Sequence, residues 1–124
     1  MRNQEEEVQK SVVKYLKLMY PSARYCASLG GIRTSFKQAV KAKATGYVKG
    51  FPDLQVCVPK GRGDIRGGGY HGLFLEIKKD KKSYPTKEQK EWIEYLNEQG
   101  YCARVVKGLD ESIQVIDDYF GERL

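Results

Sequence analysis

Gly50-Phe51-Pro52-Asp53-Leu54-Gln55-Val56-Cys57-Val58, followed after a glycine-rich turn by Leu73-Phe74-Leu75-Glu76-Ile77-Lys78-Lys79, decides how this chain folds. Two short apolar runs divided by a turn read as neighbouring strands. Side chains alternate across a sheet, so Phe74, Glu76 and Lys78 share one face of the second run, while Leu73, Leu75 and Ile77 take the other. Antiparallel pairing of Leu54 to Val58 with Leu73 to Lys79 sets the start of the first strand opposite the end of the second. Asp53 is then expected beside Glu76 and Lys78.

Two carboxylates and an amine in that arrangement suit a divalent ion placed against a phosphodiester. Magnesium is a hard ion that takes oxygen ligands, needs only one or two carboxylates, and leaves its other positions to water and substrate phosphate. Asp53 and Glu76 fit that role, and the Ile77 backbone carbonyl offers a third oxygen. A bound ion polarises the phosphate and lowers the pKa of the attacking water. Lys78 would orient or help deprotonate that water and stabilise the negative charge that develops. Alone, each motif is an ordinary turn aspartate or a solvated charge pair. Together, and in order on adjacent strands, they predict nuclease chemistry with Mg2+ or Mn2+ as the cofactor and no small-molecule cofactor.

The 124 residues are expected to make one domain, 1–124, large enough for a core without disulfide staples. A formal charge of +6 suits a polyanionic partner. Arg33, Lys37, Lys41, Lys43 and Lys49 precede the carboxylate motif, and Lys60, Arg62 and Arg66 lie in the intervening hairpin. Lys78, Lys79, Lys81, Lys82, Lys87 and Lys90 follow it, whereas many acidic residues gather in Glu5 to Glu7 and in the tail from Asp110 to Glu122. Basic residues therefore bracket the site, and Arg33, Lys37, Lys41, Lys43, Lys49 and Lys79 are the candidate DNA contacts. Cys26, Cys57 and Cys102 lie in apolar runs without CxxC spacing and read as reduced core residues of an intracellular protein. His71 is the only histidine, which argues against zinc. No segment is long and apolar enough to span a membrane, and the acidic amino terminus is unlike a signal peptide.

The first helix is predicted from Gln4 to Met19, with Asn3 and Glu6 spaced as a capping box. Its inner face carries Val8, Val12, Tyr15 or Leu16, and Met19; Glu5 and Gln9 lie on or beside that stripe and Glu7 points more towards solvent. A short strand around Arg24 to Leu29 leads through Gly30-Gly31 to a basic helix from Ser35 to Thr45, on which Lys37 and Lys41 share a face. After the two motif strands, Thr86 to Gln99 forms a helix stopped by Gly100. Gln89 has two readings there: an N3 capping partner of Thr86, or an extension of the stripe Trp92, Ile93 and Leu96 that reaches the site. Tyr101 to Lys107 makes a last, parallel strand, and Asp110 is expected to cap a terminal helix. The order is αβαββαβα, an α/β fold with a mixed central sheet flanked by helices. Tyr47, Phe51, Tyr70 and Tyr84 are aromatics of undecided role, whether interface, DNA stacking or ordinary surface.

That order, with Gly50-Phe51-Pro52-Asp53, Phe74-Leu75-Glu76-Ile77-Lys78-Lys79 and Lys87-Glu88-Gln89, resembles the VRR-NUC (virus-type replication-repair nuclease) family of the PD-(D/E)xK superfamily. The likeness runs from Glu5-Glu6-Glu7-Val8-Gln9 to the last strand. It implies a restriction-endonuclease-like core, a catalytic set at Asp53, Glu76 and Lys78, Gln89 joining the site, and a glutamate of the first helix assisting the metal. Among three adjacent glutamates Glu5 is chosen, because its helical phase matches the inner face. The resemblance further implies DNA as partner, branched DNA in particular, and a homodimer that resolves four-way (Holliday) junctions in a bacterial host, with a phage among the candidate sources. Longer relatives carry the domain at the end of a repair protein, and 124 residues leave no room for extra domains. The competing readings are a restriction-type or general DNA nuclease and a non-catalytic DNA-binding module. The first lacks an obvious recognition helix, and the intact Asp53, Glu76 and Lys78 argue against the second.

Overall fold

The computed structural model describes residues 4–28, 35–61 and 69–124. In chain order the elements are α1 (Gln4–Met19), β1 (Tyr25–Ala27), α2 (Phe36–Ala44), β2 (Leu54–Val56), β3 (Lys60–Gly61), β4 (Gly69–Tyr70), β5 (Leu73–Lys78), α3 (Lys87–Glu98), β6 (Cys102–Lys107) and α4 (Leu109–Phe120). Asn3, Leu29, Gly30, Gly31, Arg33, Arg62 and Arg66 lie outside the described residues. The order matches the one expected from sequence with one addition, a two-stranded ribbon of β3 and β4 in what reads as loop. Two-residue strands are too short to leave a period-2 signal.

The main sheet runs β1-β2-β5-β6. β2 pairs antiparallel with β5, Leu54 opposite Leu75 and Val56 opposite Leu73. β5 pairs parallel with β6, Leu73 beside Cys102 through Lys78 beside Lys107. A parallel pair needs a crossover, and α3 supplies it. All six β5 residues are buried, as expected for a central strand covered on both faces.

On one face Leu54, Val56, Leu73, Leu75, Ile77, Cys102 and Val106 pack with Val12 and Leu16 of α1 and with Ile116 and Tyr119 of α4. Burying each such aliphatic side chain contributes about 1.5–3 kcal/mol. On the other face Phe74 and Ala103 meet Leu96 of α3, with Phe51, Trp92, Ile93 and Tyr101 around them. Helices on both faces of a mixed sheet make the three-layer PD-(D/E)xK-like architecture. Asp117 ties α4 to α1, accepting hydrogen bonds from the hydroxyls of Tyr15 at 2.7 Å and Tyr20 at 2.6 Å.

Three expectations need correction. Met19 is 52% exposed, because the apolar stripe of α1 outruns the sheet in its last turn. Cys26 and Cys57 are exposed, and only Cys102 is buried, although all three are free thiols. β1 is the outermost strand and Cys57 lies just past the end of β2, so their apolar neighbours do not imply burial. Asp110 does not cap α4: Gly108, at φ +91°, holds the N-cap position with no side-chain cap bond. The turn straight out of β6 needs that left-handed backbone, which favours glycine over a capping aspartate. Asp110 instead sits in the first turn, where its charge faces the positive end of the helix dipole.

Candidate active site at the end of the central strands

The loop before β2 is shaped by Gly50. Its φ is +92°, and a Cβ there would sit 2.7 Å from the backbone carbon of Glu88 at the start of α3. Only glycine permits both the conformation and the approach. Buried Pro52 then leads into Asp53, one residue before β2 begins.

The Leu54–Leu75 pair is the last of the β2–β5 ladder on this side, and Ile77, two residues further along β5, has no strand partner there. The Asp53 carboxylate takes that place, its Oδ2 accepting the Ile77 N–H at 2.7 Å. The carbonyls of Gly72 and Lys78 turn towards β6, where they accept from Cys102 and Gly108. Backbone directions alternate along a strand, so the Ile77 carbonyl faces the Asp53 side.

Glu76 is 1% exposed and Lys78 7%. Lys78 Nζ stands 3.8 Å from Glu76 Oε2 and 3.9 Å from Glu5 Oε2, so α1 closes the site from the opposite layer. These are ion-pair distances, too long for hydrogen bonds. Glu6 and Glu7 pair instead with Lys10, each at 3.5 Å. The helical phase that singles out Glu5 is thus matched by geometry.

Burial drives the Glu76 carboxyl well above the ordinary carboxylate range, the charge of Asp53 and a hydrogen bond with it push the same way, and Lys78 pulls back only in part. Asp53 is also raised, by burial, against the lowering effects of the Ile77 N–H, Glu76 and Lys78. Two carboxyls this close cannot both ionise cheaply. Both shifts therefore favour the protonated form of the pair, Glu76 first.

The donor set fits a divalent cation. Glu76 Oε1 is buried with no hydrogen-bond partner among the described residues, an arrangement that costs about 1–3 kcal/mol unless something satisfies it. Among the described residues no three His, Cys, Asp or Glu side chains converge as a self-sufficient cage. Two carboxylates and a carbonyl, completed by water and phosphate, are the pattern of magnesium or manganese rather than of zinc.

Gln89 falls on the helix-start side of its two readings. Its Oε1 accepts the Thr86 N–H at 2.8 Å while Thr86 Oγ1 accepts the Gln89 N–H at 3.2 Å, a complete capping box. Among the described residues it makes no hydrogen bond to Asp53 or Glu76. Lys37, Lys41, Lys43, Lys49 and Lys79 are all exposed, and α2 buries no residue at all, which leaves its lysines free to meet a polyanion. Phe51 packs on Phe74 and Trp92, and Tyr70 on Tyr119, so these two aromatics belong to the interior layers.

Exposed Tyr84 lies under the ammonium of Lys107, 3.8 Å from the ring centre, and Lys107 sits in register beside Lys78 on the parallel strand. Among the described residues no helix is long and apolar enough to cross a membrane.

The family model of the VRR-NUC domain matches residues 3–110 of the chain. Among curated proteins, none matches. A solved structure described as a VRR_NUC domain protein is 37% identical, with 98% of this chain and 91% of that one covered and a TM-score of 0.77. A second, described as a VRR_NUC domain, is 22% identical over 95% of this chain and 99% of that one, with a TM-score of 0.62; its likeness is one of fold.

Proposed function

We propose, from the premise that this chain belongs to the VRR-NUC domain family and is a nuclease domain with DNA as its substrate, that it is a magnesium- or manganese-dependent endonuclease selective for branched DNA. The observation that carries this reading is the pairing of buried Glu76 with half-buried Asp53, with one Glu76 oxygen unpartnered and Lys78 within 4 Å. When bound, the ion would act as a Lewis acid on the phosphate and lower the pKa of the attacking water.

Asp53 and Glu76 would hold the ion, and the Ile77 N–H fixes the Asp53 carboxylate in place. Lys78 is not a magnesium ligand. Its ammonium, steered by Glu5 and Glu76, orients the water and offsets the charge that grows on the phosphate oxygens. The exposed lysines of α2, with Lys49 and Lys79, grip flanking phosphates without reading bases. Resolution of a four-way junction takes two cuts related by a twofold axis, so the active form is a homodimer with two copies of this site.

The test is incubation with linear duplex, flap, splayed-arm and four-way-junction DNA, with EDTA, magnesium or manganese. Paired metal-dependent cuts confined to the junction are the expected result. Uniform cutting of every substrate would make it a general nuclease, and binding without cutting under all conditions would overturn the catalytic reading.

A further inference from the structure

We propose that a cavity beside the active-site loop holds a single unstacked nucleobase of the DNA, one that bears an exocyclic amino group. The proposal rests on the nuclease reading above and adds what this nuclease recognises. Lys49, Glu88, Glu91, Trp92 and Tyr95 line the cavity, whose volume is about 300 Å3. That is the small end of the range for ligand clefts, suited to one flat ring system.

The walls are built for a ring. Trp92 and Tyr95 stand nearly perpendicular, at 86° with centroids 5.7 Å apart, as a floor and a wall. Tyr95 is 52% exposed, so much of its surface is available. Phe51 braces Trp92 at 5.0 Å and itself rests on Phe74 at 5.5 Å, two residues before Glu76. This aromatic series joins the cavity to the catalytic strand. Gly50, pressed against Glu88, fixes the other connection, the short loop from Lys49 to Asp53. Four residues of chain reach at most about 14 Å, so the backbone of Lys49, at the rim of the cavity, lies within roughly four stacked nucleotides of that of Asp53.

The charges select the occupant. Glu88, Glu91 and Lys49 make no ion pair with one another among the described residues. Two carboxylates repel a phosphate inside the cavity. They accept a hydrogen bond from the amino group of cytosine, adenine or guanine, whereas the one ring donor of thymine, N3–H, lies between two carbonyl oxygens that carboxylates repel. Lys49 remains for the phosphate at the rim. Stacking alone tolerates any base, so the preference comes from Glu88 and Glu91. A base inside an intact duplex is not available to such a cavity, whereas a strand opened at a branch offers one. The cavity thus links base capture to branch selectivity.

Trp92 is the only tryptophan of the chain, and its emission reports directly on the cavity. In EDTA, titration with an oligodeoxycytidine octamer should quench it saturably, with a Kd at least about 5-fold below that of the matching oligothymidine. Tyr95→Ala should weaken oligodeoxycytidine binding by about 5- to 150-fold, the range for loss of one stacked base. Lys49→Ala should flatten the slope of log K against log salt by about 0.7. The double variant Glu88→Ala, Glu91→Ala should bring the cytidine-to-thymidine ratio to about 1, whatever happens to overall affinity. Absence of quenching, or equal quenching by both oligomers with the wild-type protein, would overturn the proposal. If branched DNA is still cut with magnesium in that case, only the cavity assignment falls; if nothing is cut, the nuclease reading falls with it.

Discussion

Replacing Glu76 by Gln should change how the stability of the metal-free protein depends on pH. The folded Glu76 carboxyl is held above its ordinary value of 4.5, first by burial and then by Asp53. Between the unfolded and folded values, the native protein retains a proton that the unfolded chain has released. Stability therefore falls as pH rises through this window: the contribution is full below the unfolded pKa and gone above the folded one. A difference of one proton gives a slope of about 1.4 kcal/mol per pH unit, so going from about pH 5 to about pH 7 costs close to 3 kcal/mol. At roughly 4 °C per kcal/mol for a chain of this size, the melting temperature should drop by about 10 °C. Asp53 is raised in the same direction and so acts with the same sign. Asp118 is lowered by its hydrogen bond to Arg123, so its contribution is lost only as pH falls below the ordinary carboxylate range, outside this window. Glutamine carries no titrating proton, so Glu76→Gln should show a shallower slope by the amount due to Glu76. Scanning calorimetry in EDTA from about pH 5 to about pH 8 measures both curves, and parallel curves would refute the retained-proton account. Magnesium at a hundredfold excess over its Kd should add about 2.7 kcal/mol to the wild type and flatten its slope, since the ion replaces the proton. The same addition should leave Glu76→Gln nearly unmoved.

Lys78→Ala should lower the single-turnover cleavage rate by about 10² to 10⁴ with magnesium uptake retained, as expected for electrostatic or acid-base assistance; an unchanged rate would remove Lys78 from the chemistry. Glu5→Gln should slow turnover while Glu7→Gln leaves it unaltered, because only Glu5 reaches Lys78; equal rates for the two would detach α1 from the site. Gln89→Glu keeps an oxygen on the Thr86 N–H and adds charge at a helix start, so the melting temperature should hold or rise slightly, and a changed metal preference for cleavage would place Gln89 at the ion as well as at the cap. Neutralising Lys37 and Lys41 together should flatten the slope of log K against log salt by roughly 1.8 on duplex arms, and an unaltered slope would turn α2 away from DNA.

The parts of the fold legible in the sequence are those where one physical requirement dominates. The parity of Phe74, Glu76 and Lys78 against Leu73, Leu75 and Ile77 fixes which way each points, and the antiparallel pairing of the two runs was legible, while the register Leu54–Leu75 comes from the structure. Capping chemistry placed the start of α3 at Thr86, because an oxygen there and an amide three residues on satisfy each other. Burial was less legible. The runs around Cys26 and Cys57 are apolar, but exposure depends on where a strand lies in the sheet, and the sequence of one strand does not encode its neighbours. Met19 failed for a related reason, since helical phase continues to the last turn whether or not there is a sheet beneath it. The start of α4 was misplaced because the glycine conformation required at Gly108 outweighs a capping side chain one turn position later.

Asp53 explains why the candidate site could be read more easily than its surroundings. Its carboxylate extends the β2–β5 ladder by accepting the Ile77 N–H where the strand itself has ended, and the same group faces buried Glu76 as half of the acidic pair. That hydrogen bond uses Oδ2 and orients the carboxylate, so the structural duty does not consume the chemical one. Gln89 differs: its amide oxygen is committed to the Thr86 N–H, and the role that spacing allows it in the site competes with the role that the helix start requires. Where fold and chemistry ask the same thing of one residue, a short motif is enough to find it; where they ask different things, only the geometry shows which demand is met.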